Sequence, residues 1–304
     1  MDCFQIANTG FGICTSEKTH PLGRYLEIFR VSEYVYNSMR EKNEIQISEK
    51  AMEIPPAAIR RNGKAIWEKE GNIYVSAPYG HCRNAVCFSL SGWQGERAII
   101  RLNPLVWNEW GFTLNQFLSL IGIHSPLLFR NALTIHASYI AFGNRIDRQA
   151  ILFSGPSGIG KSTQAQLWET YIGAEIVNGD RAVIKREISP SSEDCSDMSL
   201  RWSAHGIPVC GSSNICKNIS LPVGMIVVLK QGSENHVEEM TAGEKYRALL
   251  LASAFYQWDA YESEEAHRLV LKLIEEVPIV RLVCRPDEGA VHILKEYIEK
   301  KCRK

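Results

Sequence analysis

The sequence predicts an α/β protein. A β-rich region over residues 1–111 precedes a domain over 112–304 in which strands and helices alternate. Three observations predict this. Short apolar runs broken by turn residues fill the first third. Apolar spacing of helical period begins at Thr113. The stretch "GPSGIGKST" then sits between an apolar strand and a helix.

The chain has 304 residues, 45% of them hydrophobic and 22% charged, with a formal net charge of zero. That suits a folded chain of about two domains. Without a basic run, binding to nucleic acid through phosphate attraction is not expected. Nine scattered cysteines form no CxxC pair, so free thiols in a reducing, cytoplasmic setting are expected rather than a disulfide framework or a zinc site. The start "MDCFQIANTGFGIC" reads as no secretory signal. The most apolar region, "FLSLIGIHSPLLFRNALTIHASYIAF", is interrupted by His124, Pro126, Arg130 and His136. A membrane span needs about 20 nearly unbroken apolar residues, so a buried helix and strand are expected instead, with no membrane partner.

"RNGKAIWEKEGNIYVSAPYG" predicts strands joined by Asn-Gly and Glu-Gly turns, and "ERAIIRLNP" another strand ending at Pro104. No catalytic constellation is visible in this region. Thr113 is a plausible N-cap for one helix over "LNQFLSLIGIHSPLLFRN". "ALTIHASYIAFG" and "QAILFSG" are strands, "KSTQAQLWETYIG" is a helix stopping at Gly173, and "AEIVNGD" is a short strand ending in an acid. "EISPSSEDCSDMS" predicts an exposed loop. Beyond it, "LPVGMIVVLKQG" and "PIVRLVCRP" are strands. Helices are expected from Thr241, with Glu244 completing a capping box, over "SEEAHRLVLKLIEEV", and over "PDEGAVHILKEYIEKK".

Gly155, Gly160, Lys161 and Ser162 satisfy the G-x-x-x-x-G-K-[ST] pattern of a phosphate-binding loop. Glycines let several N–H groups converge on one anion, and the following helix adds its positive end. Gly155, Ser157, Gly158, Ile159, Gly160, Lys161, Ser162 and Thr163 are the candidate ATP-binding residues. Lys161 would reach the outer phosphates, and Ser162 would ligate Mg²⁺. Asp180 lies 20 residues beyond Gly160 and is the candidate second metal ligand or catalytic base, the alternative being a plain turn in "NGD". Arg181 either clamps an anion or is a solvated surface residue. His136 lies 19 residues before Gly155 on the preceding strand. It is either a hydrogen-bonded core residue or, if the two strands pair as a hairpin, a group near the nucleotide. In "AHGIPVCGSSN", His205, Gly206, Pro208 and Gly211 form either a structural loop or a set of backbone donors for phosphate or substrate.

The order "TIHAS", "GPSGIGKST", "NGDRAV", "HGIPVCG" resembles HPr kinase/phosphorylase and its relatives, whose nucleotide core is similar to that of ATP-using phosphoenolpyruvate carboxykinases. The resemblance covers roughly residues 112–295. It implies a P-loop kinase core, ATP and Mg²⁺, and transfer of the γ-phosphate to a hydroxyl on a peptide, protein or small molecule. It also implies catalytic roles for Asp180, Lys161 and His136. Two departures stand out. Gly179 occupies the place of the first acid of the family's Asp-Asp pair, and the glycine-rich signature of true HPr kinases has no match. The alternative is therefore a nucleotide-dependent binding or regulatory module. A carboxykinase acting on oxaloacetate has less behind it, because the N-terminal part holds no cluster of metal and carboxylate ligands. A homo-oligomer is compatible with the sequence, which is silent on the oligomeric state.

Overall fold

A computed structural model describes the chain except residues 16–20, 96, 110, 145–146, 191–197 and 303–304. It is a mixed α/β protein with two eight-stranded sheets and seven α-helices among the described residues. The chain divides into two compact units, Met1–Arg130 and Asn131–Lys304. The boundary thus falls after residue 130, not after 111. None of the described helices is long and apolar enough to cross a membrane.

The first unit is built on β1 (Asp2–Ile6), β2 (Thr9–Cys14), β3 (Lys42–Ser48), β4 (Ile59–Arg61), β5 (Lys64–Lys69), β6 (Asn72–Tyr79), β7 (Cys82–Ser89) and β8 (Arg97–Leu102). Their order across the sheet is β1-β2-β3-β8-β7-β6-β5-β4. The pairs β2–β3 and β3–β8 are parallel. Tight turns set the hairpin registers. Asn62-Gly63 has φ of +50° and +77°, and Glu70-Gly71 has +54° and +74°. Two successive left-handed residues match the twist of the flanking strands, which is why a glycine recurs there. Phe4, Phe11, Phe29, Phe88 and Trp93 are buried in this unit.

Three helices belong to the first unit: α1 (Glu33–Ser38), α2 (Leu114–Leu120) and α3 (His124–Leu128). Thr113 does cap α2, accepting from the Gln116 amide. The single helix expected from Thr113 is nevertheless two. Gly122 between them has φ +71°, outside the helical region, and the chain turns there.

The second unit contains β9 (Ala132–Phe142), β10 (Gln149–Ser154), α4 (Lys161–Ile172), β11 (Glu175–Asn178), β12 (Arg181–Pro190) and β13 (Met198–His205). After these come β14 (Ser220–Gln231), β15 (His236–Glu239), α5 (Ala242–Ala252), α6 (Ala260–Glu276), β16 (Ile279–Cys284) and α7 (Glu288–Cys302). Two long strands organise it. The first half of β9 pairs with β12, and its second half with β10 and β11. The start of β14 pairs with β13, and its remainder with β10 and β16. β10 is therefore flanked by antiparallel β9 and parallel β14, with its C-terminal end open to a loop.

β12 and β13 form a hairpin whose register runs to Pro190↔Met198. The two ends of the segment expected as an exposed loop, residues 187–190 and 198–199, are thus paired strand, where polar composition alone predicts a loop. Residues 191–197 lie outside the described residues. The short β15, paired antiparallel with β16, is not predicted by the sequence pattern.

α4 packs on the sheet through Ala165 and Trp168, both fully covered. Trp168 stands edge-on to Phe142 at 5.1 Å and lies 6.0 Å from Phe153. Burying an indole removes about 200 Å² from water, worth about 5 kcal/mol before entropy is counted. Val291, Leu294 and Ile298 of α7 complete this core. Gly173, at φ +71°, ends α4 where the sequence predicts its stop. The consequence for function is positional: the N-terminus of α4 is held rigidly at the C-terminal end of β10.

Candidate functional site

Ser154 ends β10, and the chain then turns through Gly155, Gly158 and Gly160 with φ of +141°, +78° and +112°. At Gly158 and Gly160 an added Cβ meets no atom within 4 Å. Glycine is required there by backbone conformation, and the space beside the loop is open. The Lys161 ammonium donates to the carbonyls of Gly155 and Pro156, 3.0 Å to each. It therefore lies inside the turn, with only 7% of the residue exposed. Burial lowers its pKa, and the nearby charge of Asp180 opposes that shift.

The N-terminus of α4 differs from its neighbours. Thr241 caps α5 with a full capping box, and Asp259 caps α6. Gly160 supplies no side-chain cap to α4, and no acid stands in its first turn. The first N–H groups of a helix are otherwise unsatisfied and carry the positive end of its dipole. Beside them stand the exposed hydroxyls of Ser162 and Thr163. Groups of this kind, at the head of a helix, are able to bind an anion.

Asp180 sits on the turn between β11 and β12, and Asn178 holds that turn. The buried Asn178 side chain donates to the carbonyls of Ile207 and Val209 at 2.9 and 3.1 Å. Its oxygen accepts from the amides of Asp180 and Arg181 at 3.0 Å each. The Asp180 carbonyl accepts from the Ala137 amide at 3.0 Å, which fastens the turn to β9. One Asp180 carboxylate oxygen lies 3.1 Å from His136 Nε2, and the other lies 3.5 Å from Arg181 Nε. His136 and Arg181 are register partners on β9 and β12.

β9 and β10 do form a hairpin, with Ala137 opposite Ser154, so His136 stands beside the loop. Its pKa is lowered below the ordinary 6.5, first by desolvation and then by the Lys161 charge, against the pull of Asp180. A neutral imidazole with a carboxylate on one nitrogen is ready to accept a proton.

Gly179 ties the two parts together. Its carbonyl accepts from Ser138 Oγ at 2.9 Å and from Ser162 Oγ at 3.3 Å. A Cβ at this position would stand 2.3 Å from Ser213 Cβ and 2.4 Å from Ser213 Oγ. Ser213 is itself held by the Cys210 carbonyl at 2.6 Å. A second acid at residue 179 thus collides with the segment after β13.

That segment is closed over the acid turn. At Gly211, φ +53°, a Cβ would approach Asp180 Cγ to 2.7 Å, and at Gly206 it would meet the Lys217 carbonyl at 2.0 Å. His205 is buried in the β12–β13 hairpin, 3.4 Å from Glu187. These residues shape the site through backbone proximity.

Lys161, Ser162, Asp180 and His136 therefore converge, with Gly155–Thr163 forming the loop between them. Among the described residues, no group of three or more His, Cys, Asp and Glu could hold a metal ion. Ser162 Oγ, hydrogen-bonded to the Gly179 carbonyl at 3.3 Å, and the carboxylate of the next residue, Asp180, are hard oxygen donors. That set suits Mg²⁺, which takes one or two carboxylates and fills its remaining positions with water and phosphate oxygens.

Two clefts flank the loop. One of about 580 Å³ is bordered by His136, Gly155–Ser157 and α5. The other, about 380 Å³, is bordered by Gly158–Gly160, Thr163, Gln231 and Arg285. A larger groove of about 650 Å³, near Phe142, Ile172 and Lys295, lies at the opposite end of β10 and holds none of these groups.

Sequence reasoning missed Asn178, Ser138 and Ser213. Asn178 was visible only as turn chemistry. Ser213 becomes significant only when its contact with Gly179 is seen. No family model matches the chain, and a search of curated proteins finds no match.

Proposed function

We propose that the chain is an ATP- and Mg²⁺-dependent phosphotransferase with a P-loop kinase core, a divergent relative of the HPr kinase group. On this reading the γ-phosphate passes to a hydroxyl on a peptide, protein or small molecule. One observation carries the reading. The loop at the head of α4, the Lys161 ammonium and the hydrogen-bonded pair Asp180–His136 meet at one end of β10.

Mg²⁺, when bound, would supply neutralisation of phosphate charge. Ser162 Oγ and Asp180 would hold it. The backbone N–H groups of Gly155 and of Ser157 to Thr163, together with the Lys161 ammonium, would offset the charge of the transferring group, and such positioning provides most of the catalysis in phosphoryl transfer. Asp180 has two oxygens and two tasks. The oxygen facing His136 keeps the imidazole oriented. His136, neutral by virtue of its lowered pKa, takes the acceptor's proton directly or relays it to Asp180. A histidine beside a single carboxylate thus offers a base without a second acid.

The buried thiols suit a reducing compartment, and we assign the chain to the cytoplasm on that ground. Nucleic acid and membrane are not among its proposed partners.

The test is transfer of labelled γ-phosphate from ATP to hydroxyl acceptors, comparing wild type with Lys161→Ala. Turnover that survives this substitution sinks the reading. A second reading is a nucleotide-dependent binding module. It is favoured by the closed packing of Gly179 on Ser213, which leaves Asp180 as the acid of the turn. Tight ATP binding with no transfer to any acceptor would select it.

A further inference from the structure

The phosphate loop separates two clefts. The cleft beside His136 meets the loop at its start, Gly155–Ser157. The other, of about 380 Å³, meets it at its end, at Gly158–Gly160 and Thr163. A triphosphate held in the loop therefore has one end toward each cleft. The hydrogen-bonded pair His136–Asp180 takes the end that reacts. Whatever the triphosphate carries at its other end lies in the second cleft.

That second cleft is nearly neutral. The one charged side chain among its described residues, Arg285, is paired with Asp287 at 3.0 Å. Ile159, Cys284 and Pro286 supply apolar surface. The ends of β14 and β16 close it, the Gly232 amide donating to the Cys284 carbonyl at 3.2 Å. One buried polar side chain is built into this wall. The main-chain amide of Gln164 donates to the Gly160 carbonyl at 2.9 Å, so the side chain is rooted one turn beyond the loop. Gln164 is only 2% exposed. Its Nε2 donates to Cys284 Sγ at 3.4 Å, and its Oε1 is buried with no hydrogen-bond partner among the described residues. An acceptor shut away from water with nothing to accept from is destabilising, and native folds keep few of them. A ligand that brings a donor into the cleft relieves it. A largely apolar cleft with a few placed polar groups is the usual form of a small-ligand site, and its volume falls within the range of about 300–1,000 Å³ for such sites.

We infer that this cleft takes the adenine ring of ATP, its exocyclic amino group donating to Gln164 Oε1, and that Gln164 is the residue by which the chain selects an adenine nucleotide. This rests on the kinase reading for the direction of the triphosphate, and on Gln164 alone for the choice of base. A neutral cleft favours a neutral ring over a further phosphate or a carboxylate. The orphaned acceptor then chooses among rings. Adenine presents an amino donor at the position where guanine presents a carbonyl oxygen. Guanine in the same pose sets two acceptors against each other. A purine without the amino group leaves Oε1 unpaired. The phosphate acceptor has no claim on this cleft, because His136 borders the opposite one.

The test measures affinity by calorimetry, with Mg²⁺ and no acceptor, for ATP, GTP, the triphosphate of purine riboside and inorganic tripolyphosphate. Purine riboside lacks only the amino group of adenosine. Tripolyphosphate has no base and reports on the loop. Wild type is expected to bind ATP about tenfold or more tighter than GTP or the purine riboside triphosphate, the size of effect for one buried hydrogen bond. Gln164→Leu, similar in volume and unable to accept, is expected to bind ATP and the purine riboside triphosphate equally. Each ratio is taken within one protein, so a partial loss of folding cannot imitate it, and the wild-type series stands without the variant. The inference is overturned if wild type binds ATP and the purine riboside triphosphate equally, if GTP binds as tightly as ATP, or if Gln164→Leu keeps the wild-type preference. In those cases tripolyphosphate binding that depends on Lys161 leaves the phosphate loop standing. If neither ATP nor tripolyphosphate binds, both readings fall. If the preference follows Gln164 but no phosphate moves to any hydroxyl, the base assignment stands and the kinase reading falls.

Discussion

The hairpin turns of the first unit and the loop after β10 use the same residue for opposite ends. Gly63 and Gly71 hold φ of +77° and +74°, and the chain returns at once into an antiparallel strand. The backbone groups of such a turn are used up in the ladder. Gly155, Gly158 and Gly160 also hold positive φ, but they lead into a helix instead of a strand. Its first N–H groups have no strand to pair with and no side-chain cap. Left-handed glycine therefore closes a structure in one place and leaves donors available in the other. The difference lies in the element that the glycine leads into.

Predictions can break this contrast. The largest effect is expected for Lys161→Ala, whose ammonium lies within the loop. ATP turnover should fall by about 10³-fold or more, as when a preorganised charge-stabilising group is removed. A smaller loss refutes the loop as a phosphate site.

Asp180→Asn and His136→Gln should each lower kcat/KM by about 10²–10⁴-fold, the range for a positioned acid–base group. The pH profile separates them. The pKa of His136 is depressed, so its neutral form persists below pH 6.5. The acid limb of kcat/KM should therefore fall below that value in wild type and be absent in His136→Gln. Folding responds with the same sign. A histidine whose folded pKa is lowered binds its proton less readily than in the unfolded chain. Its contribution to stability is present above the unfolded pKa and is lost as the pH falls through it towards the folded value. An acid limb above 6.5 would contradict the desolvated imidazole.

Gly179→Asp is expected to damage the site rather than to supply a useful second acid. Its Cβ would fall within 2.3 Å of Ser213. Overpacking of this kind costs about 1–3 kcal/mol, visible as a lowered Tm. Gly179→Asp with Ser213→Gly should recover part of that loss. If Gly179→Asp alone is stable and faster, Ser213 is not what excludes the second acid. The smallest effect is expected in the first unit: Gly63→Ala should cost about 1 kcal/mol, because φ +77° strains any side chain, and should leave turnover unchanged.

Some of this could be read from residue order and some could not. The turns at Asn62-Gly63 and Glu70-Gly71, the cap at Thr113, the capping box at Thr241 and Glu244, and the stop at Gly173 were all legible. Each depends on groups within a few residues of one another. The split at Gly122 was not, because a glycine inside an apolar run is tolerated in some helices and breaks others. The β12–β13 hairpin was hidden by its polar content, since strands with a polar face resemble loops in composition. The unit boundary after Arg130 depends on which sheet α2 and α3 join, and helical spacing does not specify a partner.

The sequence alone determined the loop's backbone. Glycines at 155, 158 and 160, with Lys161 and Ser162, specify a turn leading into a helix end, and those interactions are local. Tertiary structure decided the rest. Pairing of β9 with β10 and β12 brings His136 within 3.1 Å of Asp180, 44 residues away. Contact between Gly179 and Ser213 limits the turn to one acid. Docking of β16 beside α4 sets Cys284 against Gln164, 120 residues away, in the neighbouring cleft. These placements depend on sheet register and close packing between distant segments, which no short stretch of chain encodes.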